Sequence, residues 1–148
     1  MGYLLLSFFL IIFTLGDYYY DQTNIHQDQS EITVLTTQRA IESVRYIDAI
    51  NDYIYEHPEV MNSEHEIILT DSQIGMVPHY GIRHVIWKRR IFVWQPPYPG
   101  LTGAMKQQTN SSALLGTVNG SHLIDLEGND MQVSVPLSLP EHAVVYLN

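Results

Sequence analysis

The stretch Gly81–Pro97, GIRHVIWKRRIFVWQPP, decides how this chain is read. β-Branched and aromatic residues flank a basic cluster, which predicts two short strands, about Arg83 to Trp87 and Ile91 to Trp94, joined near Lys88 to Arg90. One long strand is the alternative. Apolar spacing is helical before this stretch and β-like after it, so the chain changes period here.

Working upstream, Ile67-Ile68-Leu69 is a short apolar run followed by the turn residues Asp71, Gly75 and Pro78. Before it, from Glu31 to Glu56, the apolar positions Ala40, Val44, Ile47, Ile50 and Ile54 recur every three or four residues, with Ile41 and Tyr53 beside them. This is one face of an amphipathic helix. Its other face carries Gln38, Arg39, Glu42, Arg45, Asp48, Asn51 and Asp52, read as solvated. His57-Pro58 ends it, because a residue before proline is pushed out of the α region.

Downstream, Gln95–Leu101 (QPPYPGL) holds three prolines, which deny backbone donors and make a rigid surface turn, with a polyproline ligand segment as the alternative. A short helix is expected around Ser111 to Leu115. Asn119-Gly120 is a pair favoured in tight hairpins. Met131, Val133, Val135, Leu137 and Leu139 alternate with polar partners, so one face is expected to be buried, and Pro136 demotes that strand to an edge. Ala143 to Leu147 is a last strand that must be locked into the sheet, since a loose terminus frays.

The N-terminus, MGYLLLSFFLIIFTLGDYYYDQ, has no charge from Tyr3 to Leu15. Those residues cover roughly 20 Å of helix against the roughly 30 Å of a bilayer core, and adding Gly16 to Tyr20 brings the stretch to about twenty residues. Residues 1–20 are read as a membrane anchor built on Leu4, Leu5, Leu6, Phe8, Phe9, Leu10, Ile11, Ile12 and Phe13. A secretory signal and a buried core helix are the competing readings. The fold class is therefore α+β: an N-terminal apolar helix, one amphipathic helix, then a small antiparallel β-rich domain, with 21–148 as a single periplasmic domain and the chain single-pass in an inner membrane.

Composition removes several functions. Seven basic against sixteen acidic side chains give −9, which repels a phosphate backbone and argues against nucleic-acid binding. With no cysteine there is no disulfide, thiol catalysis or Cys-based zinc site. The histidines at 26, 57, 65, 79, 84, 122 and 142 lack the H-E-x-x-H spacing. No G-x-S-x-G elbow, Walker A loop or dinucleotide fingerprint occurs. No catalytic, cofactor or metal residue is assigned, and no enzyme activity is expected. A periplasmic hydrolase or metal-binding protein is the alternative of another class, and it needs His65, Glu66 and His79 to converge.

Four of the seven basic residues lie in Arg83–Arg90. Lys88, Arg89 and Arg90, with Pro96, Pro97 and Tyr98 of the proline turn, are candidate residues for docking a partner. A polar tip that blunts a sheet edge is the plainer reading of the cations.

The segments YIDAINDYIYEHP (46–58), VWQPPYPGL (93–101), ALLGTVNGSHL (113–123) and LSLPEHAVVYLN (137–148), behind an apolar N-terminus, resemble the PilM family of type IVb thin-pilus proteins encoded on enterobacterial conjugative plasmids. That family is distinct from the actin-like cytoplasmic ATPase of the same name, which needs a far longer chain and phosphate-binding loops. The resemblance implies a non-enzymatic envelope component required for pilus biogenesis in support of mating. Its implied partners are other pilus-assembly proteins or pilins and the membrane, with no cofactor and no small-molecule substrate. A minor pilin incorporated in the filament is the alternative, although the chain shows no basic leader ending in Gly and no Glu a few residues into the apolar segment.

Overall fold

In the computed structural model, Gly81–Pro97 holds a hairpin of two strands, β1 (Arg83–Trp87) and β2 (Arg90–Gln95), with Trp87 paired to Arg90 and Arg83 to Trp94. The structure describes the backbone of residues 2–148 and the side chains of 7–15 and 30–148. The chain divides into two compact units, one up to Leu35 and one from Thr36 to Asn148.

In the second unit the sheet continues with β3 (Leu115–Asn119), β4 (His122–Asp125), β5 (Asp130–Ser134) and β6 (Val144–Leu147). Its order is β1-β2-β6-β3-β4-β5, and every pairing is antiparallel. The last strand of the chain therefore sits in the middle of the sheet, between β2 and β3. Beyond it, Asn148 and Ile91 exchange backbone hydrogen bonds of 2.9 and 2.7 Å, which pins the terminus itself.

Both faces of the sheet are covered, which is why β1 and β2 read as continuous apolar runs. On one face Val85, Phe92, Val118, Leu123 and Val145 meet Val133, Val135, Leu139 and Ala143, so that the β5 end of the sheet packs on the β1–β2 end. On the other face lies the second half of a long helix, α1 (Gly2–Glu56), whose Tyr46, Ile47 and Ile50 meet Ile82, Ile86, Ile91 and Val93. Such buried side chains contribute about 1.5–3 kcal/mol each. A single turn, α2 (Asp71–Ile74), seals this core with Ile74, and α3 (Leu101–Gln108) packs Leu101 and Met105 against Ala40, Leu115 and Val144.

Several expectations are corrected. The buried stripe of α1 is Thr36, Ala40, Ser43, Tyr46, Ile47 and Ile50, so Val44 lies at its margin and polar residues lie within it. Arg39 and Glu42, expected in solvent, are half-buried. The helix expected near Ser111 is absent: Asn110 and Ser111 adopt positive φ, and Ser111 N–H donates to the Lys106 carbonyl at 2.7 Å, which closes α3 instead. That helix lies at 101–108, where Thr102 and Gly103 are poor helix formers and burial of Leu101 and Met105 holds the turns. Leu137, expected inside, is fully exposed at 100% because Pro136 breaks the alternation.

In the first unit, no helix among the described residues is long and apolar enough to cross a membrane. Phe8, Phe9, Leu10, Ile11, Ile12, Phe13 and Leu15 are among the apolar side chains described there. They are exposed, with Phe13 at 70%. The anchor residues Leu4, Leu5 and Leu6 lie outside the described side chains.

Candidate functional site

The β1–β2 hairpin turns on two residues only, Lys88 and Arg89, and both have positive φ, +49° and +62°. A two-residue loop with both residues left-handed is the geometry that favours Asn-Gly, because a Cβ in that region costs about 1–2 kcal/mol per residue. The β3–β4 hairpin does begin its loop with glycine, Gly120 at φ +60°. At the β1–β2 tip the chain instead holds consecutive cations in strained positions.

Lys88, Arg89 and Arg90 are all exposed. Lys88 Nζ lies 4.2 Å from the centroid of the Trp87 ring. Among the described residues the ion pairs all involve histidine (His79 with Glu42, His122 with Asp130, His142 with Glu141), so none of the three tip cations is neutralised by a described carboxylate.

Proline-turn residues lie at the other end of β2, roughly 17 Å along the strand from the tip. The structure does not bring Pro96, Pro97 and Tyr98 together with Lys88, Arg89 and Arg90. Pro96 and Pro97 are exposed, but Tyr98 is half-buried and its ring lies 4.0 Å from the Arg39 guanidinium carbon, with the Tyr80 ring at 4.9 Å. Thr36 Oγ1 donates to the Pro99 carbonyl at 3.0 Å. This turn is a bracket that clamps α1 to the end of the sheet.

Two buried polar links complete the clamp. Leu69 N–H donates to His84 Nε2 at 2.9 Å, which puts the ring proton on Nδ1, where it donates to the Tyr46 hydroxyl oxygen at 2.8 Å. Burial lowers the His84 pKa to about 4 against an opposing effect of the Asp71 carboxylate, and burial together with that charge pushes the Tyr46 hydroxyl up to about 12. Gln95 Nε2 donates to Ser43 Oγ at 2.7 Å, and Ser43 Oγ donates to the Arg39 carbonyl at 2.9 Å. Sequence reasoning missed this set because His84 and Gln95 look like solvated residues beside a basic cluster. The available signal was strand alternation: His84 lies two residues from Ile86 and Gln95 two from Val93, so each shares a strand face with a core residue.

Among the described residues the histidines do not converge on a metal-holding set. His84 is buried at 4%, and His79 is exposed and paired with Glu42 through Nδ1 and its backbone N–H. Among the described residues no group of three or more His, Asp or Glu side chains could hold a metal, so His65, Glu66 and His79 do not form a metal-holding set.

The molecule is thus an α+β protein whose antiparallel sheet is covered on both faces and presents three uncompensated cations at one hairpin tip. The chain belongs to the PilM family: the family model described as PilM matches residues 9–147. It is also similar to the crystal structure of a protein described as PilM from Escherichia coli B7A, with 36% sequence identity and a TM-score of 0.68, over 78% of this chain and 93% of that one. A comparison with curated proteins returns no match.

Proposed function

We propose that the protein is a non-enzymatic envelope component required for type IVb pilus biogenesis, in support of conjugative mating. The observation that carries this reading is the family match across 139 of the 148 residues, from 9 to 147. The site agrees with it, since the buried histidine and tyrosine are spent on holding α1 to the sheet. On this reading the protein sits at an inner membrane with its sheet domain in the periplasm, and other pilus-assembly proteins or pilins dock on it.

The exposed apolar run Phe8–Leu15 supports the membrane location. Its one hydroxyl, on Thr14, turns back to the Leu10 and Ile11 carbonyls at 3.0 Å each, so it adds no unpaired donor to an apolar surface. A second reading, a minor pilin, draws on the single helix Gly2–Glu56, which carries apolar residues at its start and packs its end on a β-sheet.

The test is to shear pili from cells carrying a tagged, functional copy and to assay filaments and membranes separately. Tag retained in carbonate-washed membranes and absent from filaments supports the assembly role, whereas tag in filaments makes it a minor pilin. Normal piliation and mating in cells lacking the gene would overturn both.

A further inference from the structure

The cations at the hairpin tip are not isolated on a convex point. Lys88 and Arg90 line an open cleft of about 130 Å³ together with Trp87 and Phe92 on one side and Gln132 and Val133 of β5 on the other. The Trp87 and Phe92 rings lie 6.5 Å apart at 47°; Phe92 is fully buried, so the half-buried Trp87 is the aromatic surface that the cleft presents, beside a basic rim. β5 is the last strand of the sheet, and Gln132 interrupts it at φ +56°, its N–H turned back to Asp130 Oδ1 at 2.7 Å. That kink blunts the edge against simple strand addition, so side chains and not a backbone ladder define the cleft.

We infer that this cleft is a seat for an acidic segment of a partner protein, which places one apolar side chain against Trp87 and its flanking carboxylates on Lys88 and Arg90. The inference rests on the docking reading of the hairpin and not on the pilus reading. Three observations converge on it. Among the described residues the cations have no carboxylate partner. The backbone holds Lys88 and Arg89 in a conformation that Asn or Gly would adopt more readily. The cleft volume matches one side chain.

Charge selects the occupant. A lipid surface or nucleic acid is an extended array of negative charge and meets the repulsion of a protein of net charge −9. A short acidic segment meets mainly the charges within about 8–10 Å of the tip, beyond which salt screens the rest.

The test uses the full chain in nonionic detergent and a fluorescein-labelled acetyl peptide, Glu-Asp-Leu-Glu-Asp, followed by anisotropy. The peptide binds, its affinity falls as salt rises, and K88Q/R90Q weakens it by about tenfold or more while K106Q leaves it unchanged. Circular dichroism and the melting temperature of K88Q/R90Q stay those of the parent, so the loss is not unfolding. Equal binding of Gln-Asn-Leu-Gln-Asn, no binding by the parent, or undiminished binding by K88Q/R90Q overturns the inference. Charge-dependent binding of phosphatidylglycerol in doped micelles without binding of the peptide also overturns it and assigns the cations to a lipid headgroup. Filament localisation tests the pilus reading separately, so either can fail alone.

Discussion

At the residue scale, His84 is the clearest case of a side chain whose surroundings set its chemistry. In the unfolded chain it titrates near 6.5 and in the folded protein near 4, so between these values only the unfolded chain binds the proton. Its contribution is complete above about pH 6.5 and is lost as pH falls toward about 4, a swing of about 3 kcal/mol for a shift of this size. Urea melts from pH 7 to pH 4 compared between the parent and His84→Gln are expected to show a steeper acid loss in the parent. Equal slopes would mean that the buried histidine is not the acid-sensitive group. Lys88 and Arg89 make the opposite argument, because their conformation opposes folding. Lys88→Asn with Arg89→Gly is expected to raise stability by about 1–2 kcal/mol, read as a higher denaturation midpoint at unchanged slope.

At the element scale, β3 and β4 approach so closely at Gly116 that a Cβ there would sit 2.6 Å from the Ile124 carbonyl oxygen and 2.9 Å from Met131 Sδ. A backbone oxygen held in the ladder cannot move aside as a side-chain tip can. Gly116→Ala is expected to lose about 1–3 kcal/mol and to lower the thermal midpoint, whereas Gly103→Ala, which meets nothing within 4 Å, is expected to be neutral or stabilising. The helix α1 shows how a sequence pattern can be right in phase and still incomplete: Ala40, Ile47 and Ile50 are buried and Ile54 packs beside them, as the apolar period predicts. Val44 lies at the margin, and Ser43 and Tyr46 join the seat because Gln95 and His84 on the strands supply hydrogen-bond partners that no apolar count can see.

At the scale of the whole molecule, the central place of β6 makes the last five residues the keystone of the sheet. β6 joins the β1–β2 hairpin to the β3–β4–β5 meander, and it is the strand through which the two halves of the ladder are connected. Deleting 144–148 is expected to abolish cooperative unfolding altogether, measured as loss of the thermal transition and of dispersed amide signals. A shortened chain that still melts cooperatively would show that the two halves fold without it. The same topology is slow to assemble, since β2 must wait for a strand that lies about fifty residues further along the chain.

The sequence by itself determined the local pieces: the Arg83–Gln95 hairpin, the helical period that ends at Glu56, a tight turn at Gly120 and the cations at one tip. Each of these is written in residues within one turn or one strand of each other, where propensity and spacing act directly. Only the tertiary structure decided which strand stands at the centre, that His84 is a neutral buried link, that Tyr98 packs on Arg39 instead of meeting solvent, and that Lys88 and Arg90 share a cleft with β5. Those facts depend on contacts between residues 15 to about 60 positions apart, and burial by a distant neighbour leaves no local pattern from which it could be read.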